Sequence, residues 1–282
     1  MIVEFTGASG SGKSTVARLA RLSLVDQGRA VATLNELIAS YIDSRWLIGR
    51  AFQLLPGRLR APLGWYAYRF YYSKVMLEEF GARHPDSWAS YRGRLEGIRK
   101  QNPGDYRFVS GWAESVMSQY ALVRRMLPDA SVFFWEEGIA HRVVNLFVNT
   151  SESVDAVRLR EFLASWPLPD VLVEVRAQTS TCLRRMSQRG LSPRLRGKGT
   201  REIELFLERS ALAVREVVGE ARKRGVPVLT LDNDHETQNQ LIESPIWLGL
   251  LERLEDLVRP ALHDSVPLGG PRAGLTPRHE ER

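Results

Sequence analysis

The chain has 282 residues, of which 44% are hydrophobic and 26% charged, the composition of a soluble globular fold rather than a disordered or fibrous one. The length suits two domains or one large α/β domain with insertions. Against 33 acidic residues stand 39 basic ones, a net charge of +6 and a pI of about 9.7, which favours anionic ligands such as phosphates, nucleic acids or acidic lipids.

The single cysteine, Cys182, excludes an internal disulfide and a Cys-rich metal site, and the expected compartment is the reducing cytoplasm. No apolar run reaches the ~18 residues of a membrane span, and the strand-like start at Ile2 predicts no secretory signal.

Ile2-Val3-Glu4-Phe5-Thr6 reads as a short buried strand leading into Gly7-Ala8-Ser9-Gly10-Ser11-Gly12-Lys13-Ser14-Thr15, the pattern G-x-x-x-x-G-K-[ST] of a phosphate-binding P-loop. Val16, Leu19, Ala20, Leu22 and Leu24 then recur at helical spacing as far as Gln27-Gly28. Glycines let backbone N–H groups curl around phosphate oxygens, and the following helix adds its positive N-terminal end. On this reading Gly7, Ser9, Gly10, Ser11, Gly12, Lys13, Ser14 and Thr15 bind a nucleotide. Lys13 reaches the β- and γ-phosphates, the Ser14 hydroxyl ligates Mg²⁺ and Thr15 supports the α-phosphate.

Arg29 to Leu34 is expected to form a second strand ending at Asn35-Glu36, a polar pair placed either to contact substrate or to begin the next helix. From Leu37 to Ser110 helical periodicity continues, broken at Pro56-Gly57 and Pro62-Leu63-Gly64, and predicts an inserted helical subdomain. There Arg45, Arg50, Arg58, Arg60 and Arg69 interleave with aromatics, a pattern that serves either a packed core with a solvated face or stacking against bases.

Trp112 to Leu127 follows as a helix, and Ser131 to Trp135 as a third strand that ends in Glu136-Glu137-Gly138. Carboxylates at the end of an apolar strand, in a chain with a P-loop, form a Walker-B arrangement. We assign Glu136 to magnesium and Glu137 to the catalytic base; the reverse assignment stays open, because alternation sets the two on opposite faces. Arg142, within about a turn, is a candidate substrate contact, whereas His141 reads better as a structural histidine.

Asp170 to Val175 is the fourth strand, followed by a helix from Thr179 to Gly190. Between Arg184 and Arg201 lie seven cations and no acid, broken by Gly190, Pro193, Gly197 and Gly199. This segment, 184–201, suits a lid that closes over a nucleotide and supplies an arginine to the transferring phosphoryl group; a solvated basic loop or a nucleic-acid arm is the other reading. Val226 to Leu231 is the fifth strand, at an edge because of Pro227, and it ends in Asp232-Asn233-Asp234. A terminal helix over 236–262 and a disordered tail over 263–282 complete the expected order.

These segments resemble thymidylate kinases and the wider family of P-loop nucleoside and nucleotide kinases. The likeness covers most of residues 1–35 and 128–234: the P-loop, Gly28-Arg29-Ala30-Val31-Ala32-Thr33, Pro169-Asp170-Val171-Leu172-Val173-Glu174-Val175, and the Arg-x-x-x-Arg-Gly run from Arg185 to Gly190. It implies a P-loop NTPase three-layer fold over residues 1–235, with a five-stranded parallel sheet, the helical insertion and the Arg-rich lid. It also implies that Arg185 and Arg189 contact the adenine nucleotide and act in catalysis. Thymidylate kinases carry Arg-Glu-Pro where this chain has Asn35-Glu36-Leu37, and Asp-Arg-Tyr where it has Glu136-Glu137-Gly138. Together with the long aromatic insertion, these departures argue for an acceptor other than thymidine monophosphate.

The expectation is therefore an ATP- and Mg²⁺-dependent phosphotransferase acting on a small-molecule hydroxyl or phosphate. Two other classes stay open: a regulatory ATPase whose insertion meets a protein or membrane, and a kinase acting on nucleic acid through the basic lid.

Overall fold

The strand Ile2–Thr6 (β1) is buried at every position, as a parallel strand covered on both faces must be. The computed structural model describes residues 1–101, 103–149, 153–192 and 194–259; the expected tail lies outside the described residues. After β1 come α1 (Lys13–Asp26), β2 (Val31–Ala32), α2 (Leu34–Asp43), α3 (Trp46–Gln53) and α4 (Gly57–Ala67). A π-helical turn, Tyr68–Tyr72, leads to α5 (Ser73–Arg83), α6 (Pro85–Gln101), α7 (Pro103–Met126), β3 (Val132–Trp135), α8 (Ile139–Phe147) and α9 (Ala156–Ser165). The chain continues through β4 (Val171–Arg176), α10 (Thr179–Arg189), α11 (Thr200–Lys223), β5 (Val228–Asp232), α12 (Gln238–Ile242) and α13 (Pro245–Val258).

All strand pairs are parallel, in the order β2-β3-β1-β4-β5. Alternation sends successive side chains to opposite faces. Val3, Phe5, Val132, Val173 and Leu231 join residues of α1 and α13 in one core, while Ile2, Phe133, Trp135 and Leu172 join the thicker layer of α2, α7, α8, α9 and α11. The result is an α/β fold, a five-stranded parallel sheet between two helical layers. The connection leaving β1 runs to β2 and the one leaving β4 runs to β5, towards opposite edges. Such divergence opens a crevice at the carboxyl ends of the two central strands.

Several boundaries differ from expectation. The second strand is only Val31–Ala32, because Thr33 starts a helix: its Oγ1 accepts the Glu36 N–H at 3.3 Å, and Glu36 Oε2 accepts the Thr33 N–H at 2.7 Å. This reciprocal capping box outweighs the β propensity of the preceding run. The expected insertion boundary at 110 falls inside α7, a continuous helix from Pro103 to Met126. Helix α4 also runs through Pro62 instead of breaking there. The terminal helix divides in two at Ser244, whose Oγ accepts the Trp247 N–H at 3.2 Å, with Pro245 in the first helical position. β5 does form an edge of the sheet, as Pro227 requires.

Trp166 fastens the thick layer. It is fully buried, its Nε1 donates to the Ile139 carbonyl at 2.9 Å, and its ring lies against Phe162 and Phe80 at centroid distances of 4.8 and 6.0 Å. Trp166→Ala is expected to lower stability by about 3–5 kcal/mol, read from the midpoint of denaturant unfolding.

Candidate functional site

The loop after β1 turns through glycines in left-handed conformations, Gly10 at φ +83° and Gly12 at φ +95°. At Gly12 a Cβ would also stand 2.3 Å from the amide nitrogen of Asn233, so only glycine fits. Asn233 is buried just past β5; its Nδ2 donates to the Ser11 carbonyl at 2.8 Å and its N–H to the Arg176 carbonyl at 2.8 Å. From α10, Arg185 donates through Nη1 to the carbonyls of Gly10 and Ser11 at 3.3 and 3.1 Å, and through Nη2 to that of His235 at 2.6 Å. The loop is thus held by its carbonyl oxygens.

The first helical bond of α1 runs from the Val16 N–H to Gly12 O at 3.0 Å, which leaves the N–H groups of Lys13, Ser14 and Thr15 ahead of the helix's own ladder. The Ser11 hydroxyl is buried without a hydrogen-bond partner. An orphaned hydroxyl in a glycine cradle facing free N–H groups fits an anion such as a nucleotide phosphate.

Lys13 lies buried under this loop, and its Nζ donates to the carbonyls of Gly7 and Ala8 at 3.0 and 3.1 Å. Burial lowers its pKa, and the charge of Glu137 works in the opposite direction. Glu137 Oε1 is 3.7 Å from Lys13 Nζ and 3.8 Å from His141 Nε2, and its Oε2 is 3.8 Å from Arg142 Nη2. Burial, reinforced by Lys13 and Arg142, holds His141 well below the usual histidine range, so its ring is neutral; its Nδ1 meets the Thr6 hydroxyl at 3.1 Å. Arg142 is buried and its pKa is lowered to about 10, chiefly by desolvation. Its guanidinium lies 3.8 Å over the Trp112 ring, while its Nε and Nη1 have no hydrogen-bond partner.

One buried carboxylate on β1 sets this arrangement. The oxygens of Glu4 accept the N–H groups of Ala140 and His141 at 3.0 and 2.7 Å, in the first turn of α8. A Cβ on Gly138 would fall 2.8 Å from the Glu4 carboxyl and 2.7 Å from the Trp135 ring, so the helix starts on a glycine.

Beside Glu137 opens a cavity of about 530 Å³ whose lining includes Ser14 and Arg21 of α1, Trp112 and Gln119 of α7, and Glu136, Glu137 and Arg142. Four expected site residues, Ser14, Glu136, Glu137 and Arg142, therefore share one space, and Glu137 links it to Lys13. Among the described residues no three His, Cys, Asp or Glu side chains group to hold a metal alone. Ser14 with Glu136 is instead a donor set that suits Mg²⁺ completed by phosphate oxygens and water.

Asn35 and Glu36 are not brought to the cavity. Glu36 is engaged in capping α2, and Thr33 and Leu34 line the wall instead. Arg185 is committed to the loop's carbonyls rather than carried on a separate lid. Across 184–201, Arg184 pairs with Glu236 at 3.3 Å, Lys198 with Glu202 at 2.9 Å and Arg201 with Glu204 at 3.2 Å. Arg194 donates to the Val148 carbonyl at 2.6 Å. Among the described residues Arg189 and Arg196 are exposed and unpaired, and the charge of Arg189 reaches Lys13.

Sequence reasoning missed Glu4, Thr6, Trp112 and Asn233 as parts of the site. For Glu4 the signal was present, a carboxylate inside an otherwise apolar central strand. Comparison of the chain with protein-family models and with curated proteins finds no match. No helix among the described residues is long and apolar enough to cross a membrane.

Burial raises the pKa of Glu4 from 4.5 to about 7. Between these values the folded protein holds a proton that the unfolded chain releases, so the contribution of Glu4 to stability is full below pH 4.5 and is lost as pH rises through 7. Glu4→Gln is expected to lack this slope. Denaturant unfolding from pH 4.5 to 8 should show the native protein losing on the order of 2–3 kcal/mol relative to the variant.

Proposed function

We propose that the chain is an ATP- and Mg²⁺-dependent phosphotransferase of the P-loop nucleoside and nucleotide kinase type, acting on a hydroxyl or phosphate of a small molecule. One observation carries the reading: the loop lysine, Lys13, lies 3.7 Å from Glu137, and Glu137 borders a cavity of about 530 Å³. A carboxylate shared by the loop lysine and a cleft large enough for a second substrate is what phosphoryl transfer to a bound acceptor needs.

The N–H groups at the start of α1 and the ammonium of Lys13 bind the β- and γ-phosphates. Ser14 and Glu136 hold the magnesium, which when bound spreads the charge of the phosphates. Glu137 orients the acceptor oxygen and takes its proton as that oxygen bonds to the γ-phosphorus and the bond to the β-phosphate oxygen breaks. Arg142, with two unpaired N–H groups beside the cavity, grips the acceptor. Arg185 keeps the loop in shape, and Arg189 and Arg196 remain free to reach the nucleotide.

A regulatory ATPase would need only a water-sized space at Glu137. The size and polar lining of the cavity favour an acceptor molecule instead.

The test is incubation with ATP and Mg²⁺ and a panel of nucleosides, nucleotides, sugars and antibiotics, following both ADP and phosphorylated product by mass spectrometry. Product formation on a panel member is expected; ADP release with no phosphorylated product on any acceptor would overturn transfer in favour of hydrolysis. Lys13→Ala should abolish turnover while the chain still folds, as read by circular dichroism. Glu137→Gln should lower kcat by roughly 10²–10⁴-fold with little change in nucleotide affinity.

A further inference from the structure

The helical insertion carries a surface that the proposed chemistry does not use. Residues 44–77 include six cations, Arg45, Arg50, Arg58, Arg60, Arg69 and Lys74, and no acid. Within them Leu59, Leu63, Tyr66 and Phe70 follow at steps of four, three and four, the spacing of one helix face. Such a stripe normally faces a core. Here Tyr66 is 61% exposed, Phe70 67% and the adjacent Tyr71 75%, with Leu59 and Leu63 above 40%.

The orientation is fixed from behind. Gly64 is buried close to Phe52 and Ile38, and the buried Tyr68 hydroxyl donates to Ser118 Oγ at 3.0 Å. The π-helical turn Tyr68–Tyr72 widens the helix there, and Phe70 and Tyr71 both emerge. The Tyr66 and Phe70 rings stack at 5.7 Å, making a continuous aromatic ridge.

Next to this ridge is a second cavity, of about 650 Å³, whose lining includes Trp65, three cations, Arg69, Lys74 and Arg107, and one acid, Glu114. Among the described residues none of its three cations pairs with an acid.

We propose that this face docks on an anionic lipid bilayer. Its aromatic and leucine side chains enter the boundary between headgroups and acyl chains, the exposed Arg58, Arg69 and Lys74 meet lipid phosphates, and the cavity, with three cations against one acid, receives a headgroup. An acid-free stretch that exposes aromatic rings and aliphatic side chains at one helical spacing, with the exposed cations Arg58, Arg69 and Lys74 close by in sequence, has the chemistry of a helix lying in the membrane plane. Exposed leucines favour lipid over nucleic acid, since bases stack on rings and gain little from aliphatic side chains. The proposal stands independently of the kinase reading and is tested without measuring activity.

The experiment is co-sedimentation of the full chain with phosphatidylcholine vesicles, with and without phosphatidylglycerol, over a range of salt. Binding to the anionic vesicles is expected to be at least roughly tenfold tighter, each cation near the surface contributing about fivefold, and to weaken with salt. Tyr66→Ser with Phe70→Ser should cut binding by at least about tenfold. Arg69→Gln with Lys74→Gln should cut it by a similar factor and flatten the salt dependence. These positions are exposed, so the thermal unfolding midpoint should hold in both variants, and either pair alone suffices for the test. Equal partition to neutral and anionic vesicles, or binding that survives both pairs of substitutions, would overturn the proposal. So would absence of vesicle binding together with RNA binding or self-association lost in the same variants.

Discussion

Glu4 sits in the middle of the central strand, shut off from water, and its two oxygens take the N–H groups of Ala140 and His141. The strand that leads into the phosphate loop and the helix that follows the Glu136-Glu137 pair are thereby held at a fixed spacing. The spacing between Lys13 and the Glu137–His141–Arg142 group follows from that contact. Lys13 comes from one side of it; Glu137, His141 and Arg142 come from the other. An uncompensated carboxylate in such a place would be very costly. Two N–H donors and the positive end of α8 offset part of the cost, and the raised pKa of Glu4 marks what is left over.

The phosphate loop has a second set of supports that act in the opposite sense. Asn233 and Arg185 donate to its carbonyls, and Lys13 donates to two more. With the carbonyls satisfied by protein donors, the N–H groups of Lys13, Ser14 and Thr15 remain for an anion. Such a site needs little reorganisation when charge arrives, and this preorganisation is the main way a protein stabilises a charged transition state. It also explains why Arg185, expected on a mobile lid, is instead half-buried against the loop: its guanidinium has five donors, and the backbone uses them to hold shape.

Much of this was legible in the sequence. The order of strand, glycine loop and helix is a local pattern with strict geometry, so that segment and the five strands could be read directly, as could the position of the carboxylates after the third strand. What could not be read depends on contacts between distant segments. Glu4 meets α8 across more than 130 positions, and Asn233 meets Ser11 across more than 220. Neither partner carries a mark that names the other. Asn35 and Glu36 misled for the reverse reason: the Thr33-to-Glu36 spacing is a local capping signal, and it decided the conformation before any ligand argument applied.

The two helical layers divide the labour unequally. On one face of the sheet α13 covers apolar strand residues, while α1 does so along most of its length and brings Lys13 and Ser14 to the site from its first turn and Arg21 to the cavity from its third. On the other face the insertion reaches the site through a single element, α7. Trp112 and Ser115 of that helix line both the cavity beside Glu137 and the cationic cavity at the aromatic ridge. Arg142 rests on the Trp112 ring with its Nε and Nη1 unpaired, so the position of this ring fixes that of the guanidinium beside the cavity. The two cavities therefore share a wall on α7, and the insertion meets the edge of the sheet there.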